Sequence, residues 1–256
     1  MTINAMKTRA TVNALSAALS AAAVQEYRQT TPAGWNFATR ESYKSPIANC
    51  FCSDHTGKMT GVISISTSVA LNARCQVRAK DPKSICAHCF AAAMLDYYSD
   101  LGKKLANNTE LLTSRELTPA EIPVINADKW PLLRFESFGD LNNVIQVYNY
   151  FLIAAVNHKQ RAALWTKNSD IIAEAMRVYG IEKPKNLVII YSSPKVNKPA
   201  AEIPEKYDFI DKVFTVYDPE YIESCSVKIN CGARDCKKCG RCYTKRTGAA
   251  VSEKLK

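Results

Sequence analysis

Between residues 126 and 220, short apolar runs alternate with longer segments whose apolar positions recur at helical spacing. Leu132 to Glu136 (LLRFE) reads as a strand, and Val144 to Val156 reads as a mostly buried helix. Ala162 to Thr166 (AALWT) is the next strand, and Ser169 is placed to cap a helix running to about Tyr179. Pro184 breaks the chain before Leu187 to Tyr191 (LVIIY), and Val213 to Tyr217 (VFTVY) closes the series. Strands alternating with helices of this size predict β-α-β units and a parallel sheet. The fold class expected is therefore α/β, with a parallel-stranded, TIM-barrel-like sheet, complete or incomplete.

Earlier in the chain, Lys7 and Arg9 precede an alanine-rich stretch from Ala10 to Val24. Asn13, Ser16 and Ser20 interrupt it, so the composition points to an alanine-rich helix over a secretory signal. No run approaches the roughly 18 apolar residues of a membrane span. The expected location is cytoplasmic, where structural disulfides are rare.

Composition changes this picture in two places. Hydrophobic residues are 47% and charged residues 23% of the 256, which excludes wholesale disorder and collagen-like repeats. The net charge of +10, however, favours a polyanionic partner, and ten cysteines call for metal or disulfides. The cysteines form two groups. Cys50, Cys52, Cys75, Cys86 and Cys89 precede the regular region, and Cys225, Cys231, Cys236, Cys239 and Cys242 follow it. The division expected is an N-terminal extension (1–45), a first cysteine-rich segment (46–125), a β/α core (126–220) and a basic cysteine-rich segment (221–256), with 46–256 forming one compact domain.

Cys231-x4-Cys236-x2-Cys239-x2-Cys242 supplies the four thiolates that structural zinc or an iron–sulfur cluster requires. In the first group Cys86-x2-Cys89 is a metal-type pair with Cys75 upstream. Three thiolates there would leave one coordination position open to substrate, unless Cys50 or Cys52 closes a shared site. His55 and His88 are possible nitrogen ligands. The cofactor expected is thus zinc or an iron–sulfur cluster, in one or two centres. Residues 231–256 also hold eight basic against two acidic side chains. Arg234, Lys237, Lys238, Arg241, Lys245 and Arg246 either offset thiolate charge or form a footprint for phosphates, so nucleic acid, with DNA favoured, is the expected partner.

In parallel α/β sheets the working residues lie just past the carboxyl ends of the strands. Those positions hold Glu136 and Asp140, then Trp165, Lys167 and Asn168, then Ser192 and Ser193, then Asp218. Turn chemistry explains Gly139, Pro194 and Pro219, but explains Glu136 and Lys167 poorly. The expectation is that Glu136, Asp140, Lys167, Asn168, Ser192 and Asp218 converge on one pocket, with Asp140, Glu136 and Lys167 catalytic and Trp165 and Ser193 among the substrate contacts.

Several runs together resemble the phage "gene product 88" family: Ser64-Ile65-Ser66-Thr67-Ser68, Asn72 and Cys75, Ile85-Cys86-Ala87-His88-Cys89-Phe90-Ala91, Arg134 to Asp140, Leu164 to Asn168, and the cysteine block ending in Cys242-Tyr243. The resemblance covers about residues 45–245 and implies a phage protein in the cytoplasm of an infected host cell. In layout the chain also resembles the tRNA-guanine transglycosylase class and its phage relatives, which insert 7-deazaguanine bases into DNA. That likeness implies zinc on Cys231, Cys236, Cys239 and Cys242 and base exchange, with Asp140 as nucleophile or stabiliser and Glu136 as acid/base. Lys167 would then contact phosphate or base, with the target base flipped out of the stack. A third likeness, to radical S-adenosylmethionine barrels, implies an iron–sulfur centre on Cys75, Cys86 and Cys89; the usual C-x3-C-x2-C spacing is replaced here by C-x10-C-x2-C. The leading expectation is a transferase-type base exchange on DNA. The alternatives are the radical-type enzyme and a non-catalytic, metal-folded nucleic-acid-binding protein.

Overall fold

A computed structural model of the protein describes residues 45–53, 57–198, 207–245 and 250–255. The expected alanine-rich helix at Ala10 to Val24 and His55 lie outside these residues.

Seven strands form one sheet in chain order: β1 (Phe51–Ser53), β2 (Val62–Ile65), β3 (Leu132–Phe135), β4 (Arg161–Thr166), β5 (Leu187–Ser192), β6 (Lys212–Tyr217) and β7 (Ala250–Lys254). β1 pairs antiparallel with β2, and every later pair is parallel. The α/β class and the parallel core are as the alternation predicts. The sheet is open, with β1 and β7 as its edges, so a closed TIM barrel is not formed.

Two faces result from the strand alternation. On the first, Ile63, Ile65, Leu133, Phe135, Ala162, Leu164, Leu187 and Ile189 pack into the main core. Three helices cover it: α3 (Ser99–Thr113), α4 (Val144–Val156) and α5 (Ser169–Tyr179). α4 is buried on nearly every side, as its continuous apolar run anticipates, and it encloses Gln146 and Asn149 among apolar residues. Ser169 does not cap α5; it is the first helical residue, and Asn168 precedes it. On the second face Val62, Leu132, Ala163, Val188 and Ile190 pack against Tyr243, Met59, Trp165, Phe214, Cys236 and Cys242. The C-terminal cysteine block therefore covers the face that a closed barrel would turn inward.

The remaining helices are short. α1 (Ala73–Ala79) and α2 (Phe90–Tyr97) lie between β2 and α3, α6 (Pro219–Ser224) follows β6, and α7 (Cys236–Cys239) lies in the cysteine block. No described helix is long and apolar enough to cross a membrane.

Candidate functional site

Because β2 to β6 run parallel, their carboxyl ends share one edge of the sheet. Alternation would set Glu136 on the same face as Arg134, but its φ of 57° turns the backbone into the left-handed region. The side chain is thereby aimed at the helix face. There it is buried and its carboxylate accepts from Thr67 N (3.2 Å), Thr67 Oγ1 (3.0 Å), Gln146 Nε2 (2.6 Å) and Tyr150 Oη (2.5 Å). Burial pushes its pKa up to about 7, outweighing these donors, with nearby Asp140 adding to the rise. Gly139 closes over the group: a Cβ there would stand 2.4 Å from Glu136 Oε2 and 2.5 Å from the Thr67 carbonyl.

Asp140 is also buried, and its carboxylate is occupied. Oδ1 accepts from Leu141 N (2.8 Å) and Thr166 Oγ1 (2.5 Å), and Oδ2 accepts from Lys167 N (3.1 Å) with Arg78 Nη1 at 3.8 Å. Arg78 lies on α1, and its Nη2 donates to Asn168 Oδ1 at 2.6 Å. Asn72 caps α1 through the Arg74 and Cys75 amides, while its own Nδ2 donates to the carbonyls of Asp140 (3.0 Å) and Leu141 (3.1 Å). Further on, Ser84 Oγ (3.1 Å) and Ile85 N (2.8 Å) donate to the Pro194 carbonyl just past β5. The segment bearing Cys75 and Cys86 is thus fastened across the ends of β3, β4 and β5.

Within that segment Cys75 is pushed up to about 12, first by burial and then by Asp140 and Cys86, while Lys167 and Arg78 pull the other way. Cys75 therefore sits among Asp140, Lys167, Arg78 and Cys86. Cys89 precedes the first turn of α2, and His88 is exposed. Cys50 is a core thiol beside Lys104, raised to about 12 by burial, and Cys52 lies on edge strand β1.

Of the six residues expected to share a pocket, Glu136, Asp140, Lys167 and Asn168 are joined at one edge in a buried network, through Thr67, the Lys167 amide and Arg78. Among the described residues, no hydrogen bond or ion pair joins Ser192, Ser193 or Asp218 to them. Ser193 Oγ donates to the carbonyls of Lys195 and Lys198, and Asp218 caps α6 through Tyr221 N and pairs with Asn197. Trp165 projects from the second face, where the Arg134 guanidinium stacks 4.1 Å from its ring centre. Strand parity explains this, since Trp165 and Thr166 must point to opposite faces. Thr67, Asn72 and Thr166, which lie in the motif runs but have no site role predicted from sequence, complete the network with Arg78, Gln146 and Tyr150, which lie outside those runs. Gln146 had a signal, as a polar residue within an apolar helical run.

In the C-terminal block Asp235 caps α7 and Gly240 adopts a left-handed φ of 60°. Burial raises Cys231, Cys236 and Cys242, and each is raised further by others of the set that includes Cys239. The four thiols therefore share one neighbourhood. Among the described residues, however, no group of three or more His, Cys, Asp or Glu is arranged to hold a metal ion. The basic candidates divide: Arg234, Lys237 and Lys238 are exposed, Arg241 is half-buried, Lys245 pairs with Asp211 at 3.6 Å, and Arg246 lies outside the described residues. No protein-family model, curated protein or solved structure matches the chain.

Proposed function

We propose that the protein is an iron–sulfur enzyme of the radical type, with its centre on Cys75, Cys86 and Cys89 and nucleic acid as its substrate. The observation that carries this reading is the fastening of the cysteine segment over the strand ends by Asn72, Arg78 and Ser84. The buried carboxylate of Asp140 takes part in that fastening. Base exchange led by Asp140 would need a carboxylate open to a sugar carbon, and this one is enclosed by four polar partners; the cysteine segment is the better-placed reactive element.

Three thiols are the donor type such a centre needs, although among the described residues they are not gathered into a ligand group; beside Cys75, Lys167 and Arg78 would offset thiolate charge against the opposing effect of burial and Asp140. A cluster held by Cys75, Cys86 and Cys89 would supply one-electron chemistry when bound. The chain's own contribution is placement. Asp140 orients Arg78, Asn168 fixes the guanidinium from its other side, and the Phe90 and Phe138 rings, 5.8 Å apart, stand at the same edge. Anaerobic reconstitution with iron and sulfide should yield a brown protein that cleaves S-adenosylmethionine when a reductant is supplied. Cys75→Ala, Cys86→Ala and Cys89→Ala should each abolish colour and cleavage, while Cys225→Ala, at an exposed thiol, should retain both. A colourless wild-type protein, or colour unaffected by all three changes, rejects the proposal.

The net charge of +10 supports the choice of substrate, and the exposed Arg234, Lys237 and Lys238, in the segment that meets the amino ends of β2 and β4, offer a long nucleic acid a second contact away from the strand-end centre. Binding to DNA or RNA should weaken steeply with salt, and neutralising these three residues together should reduce the logarithmic salt slope by about 2–3. An unchanged slope would remove this surface from the substrate path.

A further inference from the structure

The second face of the sheet carries a chemistry that the strand-end site does not use. Tyr243 is 4% exposed, yet its hydroxyl has no hydrogen-bond partner. Arg134 leaves the middle of β3 on the same face, and its buried Nε is likewise unpartnered. Its Nη1 reaches only the Met59 sulfur, at 3.7 Å. Both groups lie beside Trp165, whose ring centre is 5.9 Å from that of Tyr243 and 4.1 Å from the Arg134 guanidinium, and the Tyr243 ring packs with Cys236 and Cys242 on this face. A third group, a cation, approaches from the loop before β2: Lys58 Nζ donates to Cys231 Sγ at 3.5 Å and is shared with Glu253 Oε1 at 3.3 Å, and the Lys58 carbonyl accepts from Cys236 N at 2.9 Å. Buried donors without acceptors are rare in folded proteins, and two of them beside a set of thiols call for an explanation. Neutral thiols accept weakly, whereas metal-bound thiolates attract donors and cations strongly.

We infer that Cys231, Cys236, Cys239 and Cys242 close on one zinc-type divalent ion, and that Arg134, Tyr243 and Lys58 are positioning residues donating to its sulfurs. Four thiolates exceed the charge of a divalent ion; the Arg134 guanidinium offsets part of that excess, and the Lys58 ammonium, shared with Glu253, offsets less. The centre has a structural task. Cys231 N and Asn230 N donate to the Ser252 carbonyl of β7, while Cys236 and Cys242 pack on β2 to β5, so the ion ties the last strand to the bare face of the sheet. This centre is separate from the one on Cys75, Cys86 and Cys89, and it stands or falls independently.

The test uses the full chain with Cys75, Cys86 and Cys89 changed to Ser, so that only the second group binds. One zinc per chain is expected. In competition with a chelator, Arg134→Met and Lys58→Met should each weaken binding about tenfold or more, and Arg134→Lys should recover part of the loss. Tyr243→Phe should shift the thiolate charge-transfer bands of the cobalt(II)-substituted protein, a readout that packing alone would leave in place. Arg177→Met, remote and paired with Glu174 on the surface, should change nothing. Absence of stoichiometric zinc overturns the site, and unchanged affinity and cobalt spectra in the Arg134 and Tyr243 variants overturn the donor roles. If the serine background does not fold, zinc protection of the four thiols from alkylation in the wild-type chain decides, and lack of protection overturns the inference.

Discussion

Gly139→Ala is expected to destabilise the protein by about 3 kcal/mol, the upper end for an overpacked site. The added methyl would stand 2.4 Å from Glu136 Oε2, 2.5 Å from the Thr67 carbonyl and 2.7 Å from Thr67 Oγ1. None of these atoms has room to withdraw. The Thr67 carbonyl is backbone, and the Glu136 carboxyl is held by Thr67, Gln146 and Tyr150. The cost is steric, because Gly139 is not among the glycines with positive φ. Gly180→Ala makes the useful comparison: φ is 61° but nothing lies within 4 Å of a Cβ, so only about 1 kcal/mol of backbone preference is at stake. Urea denaturation of the two variants beside wild type measures both. Equal losses at the two positions would show that the strand-end turn yields where the geometry says it is rigid.

Protein stability should fall as pH rises from about 4.5 to about 7, and Glu136→Gln should remove most of that fall. The carboxyl has an ordinary value of 4.5 and is raised to about 7 in the folded protein, chiefly by burial. Between those values the folded protein keeps a proton that the unfolded chain has released, so each increment of pH favours unfolding. The contribution is complete below the unfolded value, declines through the interval and is gone above about 7. Its size is on the order of 3 kcal/mol, the free-energy equivalent of the shift. Glu121, held down to about 2 by Arg115 and Thr118, acts at lower pH and with opposite sign, since its stabilisation is lost as pH falls below 4.5. Chemical denaturation at pH 5 and pH 8 separates the two. A Glu136→Gln variant with the same pH dependence as wild type would show that the carboxyl is ionised throughout and that its donors outweigh its burial.

Both predictions concern a site whose position was legible in the chain and whose internal wiring was not. The apolar runs of β3, β4, β5 and β6 and the helix Val144–Val156 follow from local periodicity, which needs only the side chains of each segment. So does the placing of Glu136, Asp140, Lys167 and Asn168 at one edge, because parallel strands deliver their carboxyl ends to the same side. Strands β1 and β7 carry no such signal: Phe51–Ser53 is too short for a period, and Ala250–Lys254 is half polar. They are strands because β2 and β6 offer unpaired backbone groups for them to satisfy. The open edge of the sheet also depends on long-range packing, since the C-terminal block occupies the second face.

The division is sharpest at four residues. Glu136 and Asp140 were identifiable as carboxylates past a strand, but one positive φ and four buried donors make the first a core group facing α4, and Arg78, 62 positions earlier in sequence, makes the second a fastening for the cysteine segment. Asp218 and Ser193 stand at equivalent strand ends and remain turn residues, satisfied by neighbours within a few positions or by Asn197. By itself the sequence determined the four strands β3 to β6 and the edge on which their polar side chains collect, because those depend on local periodicity and chain direction. Only the tertiary structure decided which of those side chains are enclosed and which partner each has. Burial and hydrogen-bond geometry are set by residues distant in sequence, whose approach no local pattern records.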